Sequence, residues 1–290
     1  MSNDNKNPNP LYVLGHSDHE LNRLRAQARF LEPVTRRFLS EAGVTQGMRV
    51  LDVGSGAGEV AFLAAELVGE TGSVLGVDKA PAAVAAAITA ARERGLRNVQ
   101  FREGDPGEIE FDRRFHAAIG RYVLPFQADP SAMLRGLVRH LVPGGLLAFH
   151  EPDWTFVRSF PLAPLYERAC RWITDTTWLS GQSWNFLDRT RAVFVGADLP
   201  PPTMRMHTFV ASGSEAQEWL AGVGDIVESL LPTMEKVGVA TADEVNIETF
   251  RDRLLQEARS NGSLIVGRSE IGMWTKARHD AVAGQAPETE

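Results

Sequence analysis

The sequence has little cysteine, no excess of positive charge and no long apolar run, and each shortage excludes a class of protein. A single cysteine, Cys170, among 290 residues excludes an internal disulfide and a thiolate-rich metal site. The chain carries 30 Lys and Arg against 37 Asp and Glu, a net charge of −7, whereas nucleic-acid binders usually carry a basic excess. No apolar run approaches the roughly 18 residues of a membrane span. We therefore expect no metal, no nucleic acid and no membrane among its partners.

The first ten residues, MSNDNKNPNP, lack the basic and apolar regions of a signal peptide, so we expect a cytoplasmic location. Tryptophan is missing from the whole first half of the chain. All six tryptophans lie beyond residue 150: Trp154, Trp172, Trp178, Trp184, Trp219 and Trp274. This asymmetry predicts different roles for the two halves.

Short apolar runs alternate with helical patterns from Gly47 to Glu151. The alternation predicts an α/β fold with a doubly wound, seven-stranded, mostly parallel sheet of the Rossmann-like kind. A capping-box sequence at Ser17 predicts the start of an N-terminal helix, and Pro33 predicts a break in it. Beyond Glu151 the alternation stops. Residues 151–164 have the pattern of an irregular segment, and Pro232 predicts a break in a later helix.

The most informative motif is the glycine loop, residues 54–58 with the sequence GSGAG, which follows Asp52 and joins the first predicted strand to the next helix. Glycines there allow a ligand to approach the backbone, and we expect exposed N–H groups at the helix N-terminus. Asp78 ends the second strand, where a carboxylate can accept both hydroxyls of a ribose. Asp105 follows the third strand. Ligands in such folds bind beyond the carboxyl ends of the strands, so these groups are expected to face one crevice.

In these residues the segment 46–150 resembles the class I S-adenosylmethionine-dependent methyltransferases. The resemblance implies S-adenosylmethionine as the cofactor. In that family the glycine loop passes under the methionine part, the acid after the second strand holds the ribose, and the acid after the third strand faces the adenine. The resemblance thereby implies a set of cofactor-binding residues: Gly54, Ser55, Gly56, Asp78, Lys79, Gly104, Asp105 and Pro106.

Two further segments resemble parts of such enzymes. Residues 120–124 follow the fourth strand, and Arg121 is expected at the cofactor's methionine end, with a salt bridge inside the fold as the alternative. The start of the chain resembles actinobacterial methyltransferases of secondary metabolism, in which a first helix folds over the cofactor. That resemblance implies four more contacts: Tyr12, His16, Arg23 and Gln27. A solvated face for Arg23 and Gln27, and packing of His16 on Leu21, are the alternatives.

We divide the chain on this basis. Residues 1–45 are expected to form a tail and an N-terminal helical lid, and residues 46–150 the cofactor-binding half of the core. Two insertions on the acceptor side are expected at 151–184 and 211–262. The rest of the core is expected at 185–210 and 263–280, and a tail at 281–290. Five of the six tryptophans lie in the two insertions. Aromatic walls suit a flat, hydrophobic or aromatic acceptor.

Trp154 and Trp184, which lie near irregular segments, are expected to bind the acceptor, although tryptophans at helical spacing more often belong to a core. Glu151 ends the fifth strand, and a desolvated carboxylate there is a candidate general base, with a role as a cap or as a neighbour of the cofactor as its alternative. His207 in the sixth strand is a second candidate base, with a core position as its alternative. Tyr122 is expected to donate a hydrogen bond to the acceptor.

The combined expectation is an S-adenosylmethionine-dependent methyltransferase that acts on a bulky hydrophobic or aromatic small molecule of bacterial secondary metabolism. A resemblance to bacterial indole C3-methyltransferases favours C-methylation of an indole-like ring, and O- or N-methylation at the same site is the alternative. A non-catalytic cofactor-binding regulator and a nicotinamide-dependent oxidoreductase are the alternatives from other classes. Exchange of the N-terminal helix between subunits would allow a homodimer.

Overall fold

The computed structural model of the chain describes residues 18–106 and 108–278, and of residues 18–29 it describes the backbone alone. The chain forms two compact units. The first, here the sheet unit, comprises Leu31–Glu151, Asp188–Arg205 and the described residues from Ile271 onward. The second, here the helical unit, comprises Pro152–Leu187 and Met206–Glu270 together with the described residues up to Phe30.

The sheet unit contains the strand and helix alternation that the sequence predicts. Its strands are β1 (Arg49–Val53), β2 (Ser73–Asp78), β3 (Val99–Glu103), β4 (Phe115–Arg121) and β5 (Leu141–Asp153), and its first helices are α2 (Glu59–Val68), α3 (Pro81–Glu93) and α4 (Pro130–Val138). The strand order is β3-β2-β1-β4-β5, and each neighbouring pair is parallel. The doubly wound, mostly parallel sheet is therefore confirmed.

The core of the sheet unit lies between the sheet and α2, which buries Val60, Phe62, Leu63 and Val68. The interior includes several glycines that lie against aromatic rings. A Cβ atom on Gly76 in β2 would lie 2.5 Å from Cδ1 of Phe101 and 2.9 Å from Cβ of Ser55. Such contacts exclude a side chain, and they bring β2 close to the glycine loop.

The first helix, α1 (Asp18–Ala42), runs through Pro33 without a break, so the predicted break is wrong. Proline removes one backbone hydrogen bond from a helix, but Leu31, Phe38 and Leu39 on this helix are buried, and their burial outweighs that loss. The predicted cap at Ser17 lies outside the described residues.

The helical unit is built on α5 (Pro164–Leu179), α7 (Gln217–Val237) and α9 (Ile247–Asn261), which pack on one another, with the short α8 (Ala242–Val245) between the last two. The break predicted at Pro232 is wrong, because α7 continues through it. Leu230 and Met234 on either side of the proline are fully buried and hold the helix in place.

The remaining elements are α6 (Leu187–Gly196), β6 (Arg158–Phe160), β7 (Thr203–Ala211) and β8 (Leu264–Lys276). Strand β6 pairs antiparallel with β8, so the expectation of an irregular segment over 151–164 is wrong. Three residues are too few to show the alternation that marks a strand in a sequence. Three strands, β5, β7 and β8, begin in one unit and end in the other.

Across the described part of the chain, no helix combines the length and the apolar character needed to cross a membrane.

The packing at Gly76 predicts that Gly76→Ala is destabilising. The added methyl group overlaps the ring of Phe101, and we expect the free energy of unfolding to fall by about 1–3 kcal/mol. Urea denaturation measures the change. The control is Gly222→Ala in α7, where a Cβ atom meets nothing within 4 Å. That variant should gain about 0.5–1 kcal/mol from helix propensity, and a Gly76→Ala variant of equal stability would contradict the packing argument.

Candidate functional site

The polar residues that end the parallel strands lie at one edge of the sheet unit. The chain adds β2 and β3 on one side of β1, and β4 and β5 on the other. The strand order therefore reverses between β1 and β4, which is the position where open α/β sheets bind ligands. Asp52, Asp78 and Tyr122 belong to or follow strands on both sides of this reversal.

The glycine loop after β1 is tied to the end of β2. The N–H groups of Gly54 and Ser55 donate to the carbonyl of Val77 at 2.9 and 3.1 Å, and that of Gly56 donates to Oδ2 of Asp78 at 2.8 Å. These three N–H groups are therefore used inside the fold, and the expectation of exposed N–H groups at the N-terminus of α2 stays a prediction. Gly54 and Gly56 have φ values of +64° and +52°, which favour glycine. A Cβ atom on Gly56 would meet nothing within 4 Å, so the backbone there is open to close approach.

Asp52 is a buried acid directly before this loop, with an exposed fraction of 1%. Neither of its carboxylate oxygens makes a hydrogen bond of ordinary length and angle among the described residues. Burial raises the pKa of Asp52 to about 8 and the charge of Asp78 adds to the shift, while the charge of Arg121 and the backbone N–H of Ala61 oppose it. The carboxyl group is therefore mostly protonated near neutral pH, and a positively charged ligand beside it favours its ionised form.

Asp78 and Asp105 both have partners within the sheet unit. Asp78 accepts the N–H of Gly56 through Oδ2 and the N–H of Ala80 through Oδ1, the latter at 2.9 Å. Each oxygen keeps a lone pair for a further donor. Asp105 pairs with Lys79, with Nζ and Oδ2 2.6 Å apart, and both side chains are partly exposed. Gly104 has a φ of +143°, which lets the chain turn between β3 and Asp105.

The turn after β4 is held by the end of β5. Tyr122 has a φ of +60°, an unusual value for a residue with a side chain, and its N–H donates to the carbonyl of His150 at 2.9 Å. The fully buried carboxylate of Glu151 accepts the N–H groups of Val123 and Leu124, at 3.1 and 3.0 Å from Oε1. This is the capping alternative for Glu151, at the start of a 3₁₀ helix over Leu124–Phe126.

Val123 connects this turn to the glycine loop. A Cβ atom on Gly54 would lie 3.0 Å from Cγ2 of Val123, and one on Gly120 would lie 3.1 Å from the same atom. Glu151 thus fixes the backbone of Val123, and the side chain of Val123 packs against the loop. A role for Glu151 as general base stays a prediction.

Thr35 of α1 joins two site residues in a network that the sequence does not reveal. Its hydroxyl donates to the carbonyl of Leu31 at 3.0 Å and accepts Nη1–H of Arg121 at 3.1 Å. Nδ1 of His150 lies 3.0 Å from the same oxygen, and because the single hydroxyl proton is already used, Nδ1 is the donor. The position of His150 beside Glu151, at the end of the fifth predicted strand, could have indicated a site residue. Nothing in the sequence around Thr35 indicates such a role.

The tryptophan cluster, Trp154, Trp184 and Trp219, lies in the helical unit. The ring centroid of Trp154 is 6.5 Å from that of Trp184 and 5.7 Å from that of Trp219. The guanidinium carbon of Arg268 lies 5.5 Å from the rings of both Trp154 and Trp219, and its Nε–H donates to Glu270 at 2.7 Å. The cluster is thus fixed around a buried ion pair.

The other predicted residues fall in several places. His207 is half-buried in β7, and its role stays a prediction. Tyr12 and His16 lie outside the described residues, and Arg23 and Gln27 lie where only the backbone is described. Among the residues that the structure places, no group of three His, Cys, Asp or Glu side chains is arranged to hold a metal.

Residues 44–189 match a known family described as a methyltransferase domain. The chain belongs to this methyltransferase family. The resemblance that the glycine loop and the strand-end acids indicated is therefore confirmed.

Two curated relatives and one solved structure place this methyltransferase among known proteins. The chain is 36% identical over 141 residues to aklanonic acid methyltransferase DauC of Streptomyces sp. strain C5, covering 48% of this chain and 64% of that protein. It is 45% identical over 138 residues to nocamycin O-methyltransferase of Saccharothrix syringae, covering 47% and 49%. The matched segments thus span half to two thirds of these relatives. The YcgJ protein of Bacillus subtilis has a similar fold, with a TM-score of 0.52 at 20% identity over 83% of this chain and 96% of that chain.

The burial of Asp52 predicts that the difference in stability between Asp52→Asn and the original protein depends on pH. Because the folded-state pKa of about 8 exceeds the unfolded value of about 3.9, the folded form binds the proton more tightly, and the original protein loses stability as the pH rises between these values. We expect the stability of Asp52→Asn, relative to the original, to rise by up to about 1.4 kcal/mol per pH unit over this range.

Urea denaturation at several pH values checks this. Asp252→Asn is the matched control, because Asp252 is exposed on α9. A pH-independent difference for Asp52→Asn would show that the carboxyl group is not desolvated.

Proposed function

We propose that the chain catalyses methyl transfer from S-adenosylmethionine to a small, hydrophobic or aromatic acceptor of the natural-product kind. The family match over 44–189 and the similarity to two natural-product methyltransferases support the proposal. Its finer form is C-methylation of an indole-like ring, and O- or N-methylation is the alternative. We further propose that residues 46–150 hold the cofactor and that 151–184 and 211–262 contain the acceptor-binding side chains.

The observation that carries the proposal is the buried carboxyl group of Asp52 beside the glycine loop, which has few partners within the chain. S-adenosylmethionine carries two positive charges, a sulfonium and an ammonium, and either one stabilises the ionised form of a buried carboxyl group. A nicotinamide dinucleotide brings a pyrophosphate instead, which gains nothing from an acidic neighbour and finds the N–H groups of Gly54, Ser55 and Gly56 already used. The residues present therefore fit the sulfonium cofactor.

The strand-end residues supply the contacts in this proposal. Asp78 offers its remaining lone pairs to the ribose hydroxyls, and Asp105 with Lys79 offers a polar edge to the adenine. The open backbone at Gly56 allows close approach. When bound, S-adenosylmethionine supplies a methyl group on a positively charged sulfur, which needs no further activation by the protein.

The protein's own contribution is then position and proton removal. Orientation of two reactants can lower a barrier by about 7–11 kcal/mol in favourable cases. Glu151 contributes by holding the turn of Tyr122 and Val123 against the glycine loop. A base is needed only where the acceptor atom loses a proton, and His207, Tyr122 and Glu151 are the candidates carried over from the sequence.

The cofactor assignment predicts that Asp78→Ala weakens binding of S-adenosylmethionine by about tenfold or more, because a carboxylate that holds the N–H of Gly56 and that of Ala80 is lost. Calorimetric titration with S-adenosylmethionine and, separately, with NAD⁺ measures it. Asp252→Ala on the exposed face of α9 is the control and should bind as the original protein does. Tight binding of NAD⁺ without binding of S-adenosylmethionine would end the proposal.

The hydrogen bonds of Glu151 predict opposite results for two variants. Both backbone N–H groups reach Oε1, so the single amide oxygen of Glu151→Gln can accept both, whereas Glu151→Ala leaves both unpaired. We expect Glu151→Gln to keep its turnover number within about tenfold of the original and to keep the shape of its pH–rate profile. Glu151→Ala should lose turnover and cofactor affinity together.

An acceptor is first identified by mass spectrometry of the methylated product. Turnover numbers, cofactor affinities and pH–rate profiles are then measured with that acceptor. These measurements separate the positioning role of Glu151 from a role as general base. A loss of about 10²–10⁴-fold in the turnover number of Glu151→Gln, with unchanged cofactor affinity, would contradict the positioning role and favour the general base.

A further inference from the structure

The hydroxyl of Thr35 makes more hydrogen bonds than a helix requires. Its proton goes to the carbonyl of Leu31, which is the bond that a threonine inside a helix commonly makes. Its two lone pairs accept Nη1–H of Arg121 and Nδ1–H of His150, at 3.1 and 3.0 Å. The side chain of Thr35 is 1% exposed, and all of these residues belong to the sheet unit. Thr35 therefore joins α1 to the ends of two strands.

The register of the parallel strands places Arg121 on the same face of the sheet as Asp52. Asp52 of β1 lies opposite Ile119 of β4, and Arg121 of β4 lies opposite His150 of β5. Side chains two residues apart on a strand share a face, so Arg121 is the diagonal neighbour of Asp52. The charge of Arg121 also acts on the pKa of Asp52. Arg121 thus lies at the ligand edge, beside the start of the glycine loop.

Helix α1 holds this network rigidly. Phe38, three residues after Thr35, is buried and contacts the ring of His150 edge-on, with the centroids 5.1 Å apart. Leu31, which accepts the hydroxyl proton of Thr35, is fully buried as well. An arginine side chain loses much rotamer freedom when it is fixed, and a rigid acceptor at its far end meets that cost before a ligand binds.

We propose that Thr35 is a positioning residue, which holds the guanidinium of Arg121 where it binds the carboxylate of the methionine part of S-adenosylmethionine. This rests on the proposed function. A guanidinium stays charged and donates paired hydrogen bonds to carboxylates. Asp52 does little to neutralise Arg121 in the ligand-free protein, because burial keeps the pKa of that carboxyl group high. Thr35 acts through Arg121, since its own hydroxyl has no bond left to offer a ligand.

The test compares two ligands, S-adenosylhomocysteine and its decarboxylated form, which keeps the ammonium and lacks only the carboxylate. Calorimetric titration of the full chain measures both dissociation constants. We expect the original protein to prefer the carboxylated ligand by about tenfold or more. Thr35→Val and Thr35→Ala, which lose the hydroxyl, should cut this preference by about fivefold by weakening the carboxylated ligand alone. Thr35→Ser, which keeps the hydroxyl, should retain the preference.

Arg121→Met should abolish the preference, and adding Thr35→Val to Arg121→Met should change it no further, because Thr35 acts only through Arg121. Thr89→Val is the matched control. Thr89 makes the same kind of bond, to the carbonyl of Ala85 at 3.0 Å, but it is exposed on α3. This variant should bind both ligands as the original protein does.

An equal loss of affinity for both ligands in the Thr35 variants would indicate a structural role and overturn the inference. An unchanged preference in Arg121→Met would overturn it too, whether or not the Thr35 variants fold. Titration with S-adenosylmethionine on the same samples separates the two proposals. If the original protein binds S-adenosylmethionine but does not distinguish the two test ligands, this inference alone is wrong, whereas absent binding of S-adenosylmethionine contradicts the proposed function.

Discussion

The carboxylate of Glu151 is the constraint on which the ligand edge of the sheet unit depends. It ends β5 and accepts two backbone N–H groups from the turn that follows β4. That turn contains Tyr122, whose left-handed backbone costs free energy that neighbouring bonds must repay. Val123, fixed by the same carboxylate, packs against Gly54. One buried acid thus determines where the end of β4 lies and how closely it approaches the glycine loop.

The two buried acids of this edge are treated in opposite ways. Glu151 is compensated by the backbone, so its charge is part of the folded structure. Asp52 makes no hydrogen bond of ordinary geometry among the described residues and draws only partial compensation from the charge of Arg121 and the backbone N–H of Ala61. A buried charge that accepts hydrogen bonds from the fold stabilises the folded structure. A buried charge with few such partners favours the binding of a ligand of opposite charge.

Local features of the sequence predicted much of the fold. Apolar runs that end in glycine or aspartate fixed the positions of β1 and β2, and the acids at their ends indicated the family. The failures have a common cause in long-range packing: α1 and α7 continue through Pro33 and Pro232 because buried neighbours hold them. The partners of Glu151 lie 27 and 28 residues earlier in the chain, and Thr35 is an isolated polar residue without a pattern. Neither spacing nor composition carries such information.

The burial of Asp52 has a consequence for turnover in the proposed reaction. Methyl transfer converts a sulfonium into a neutral thioether, so the spent cofactor has one positive charge fewer than the donor. A buried carboxylate with few other partners loses more from this change than a solvated one would, because little water screens the difference. The residue that favours binding of the donor therefore also favours departure of the product.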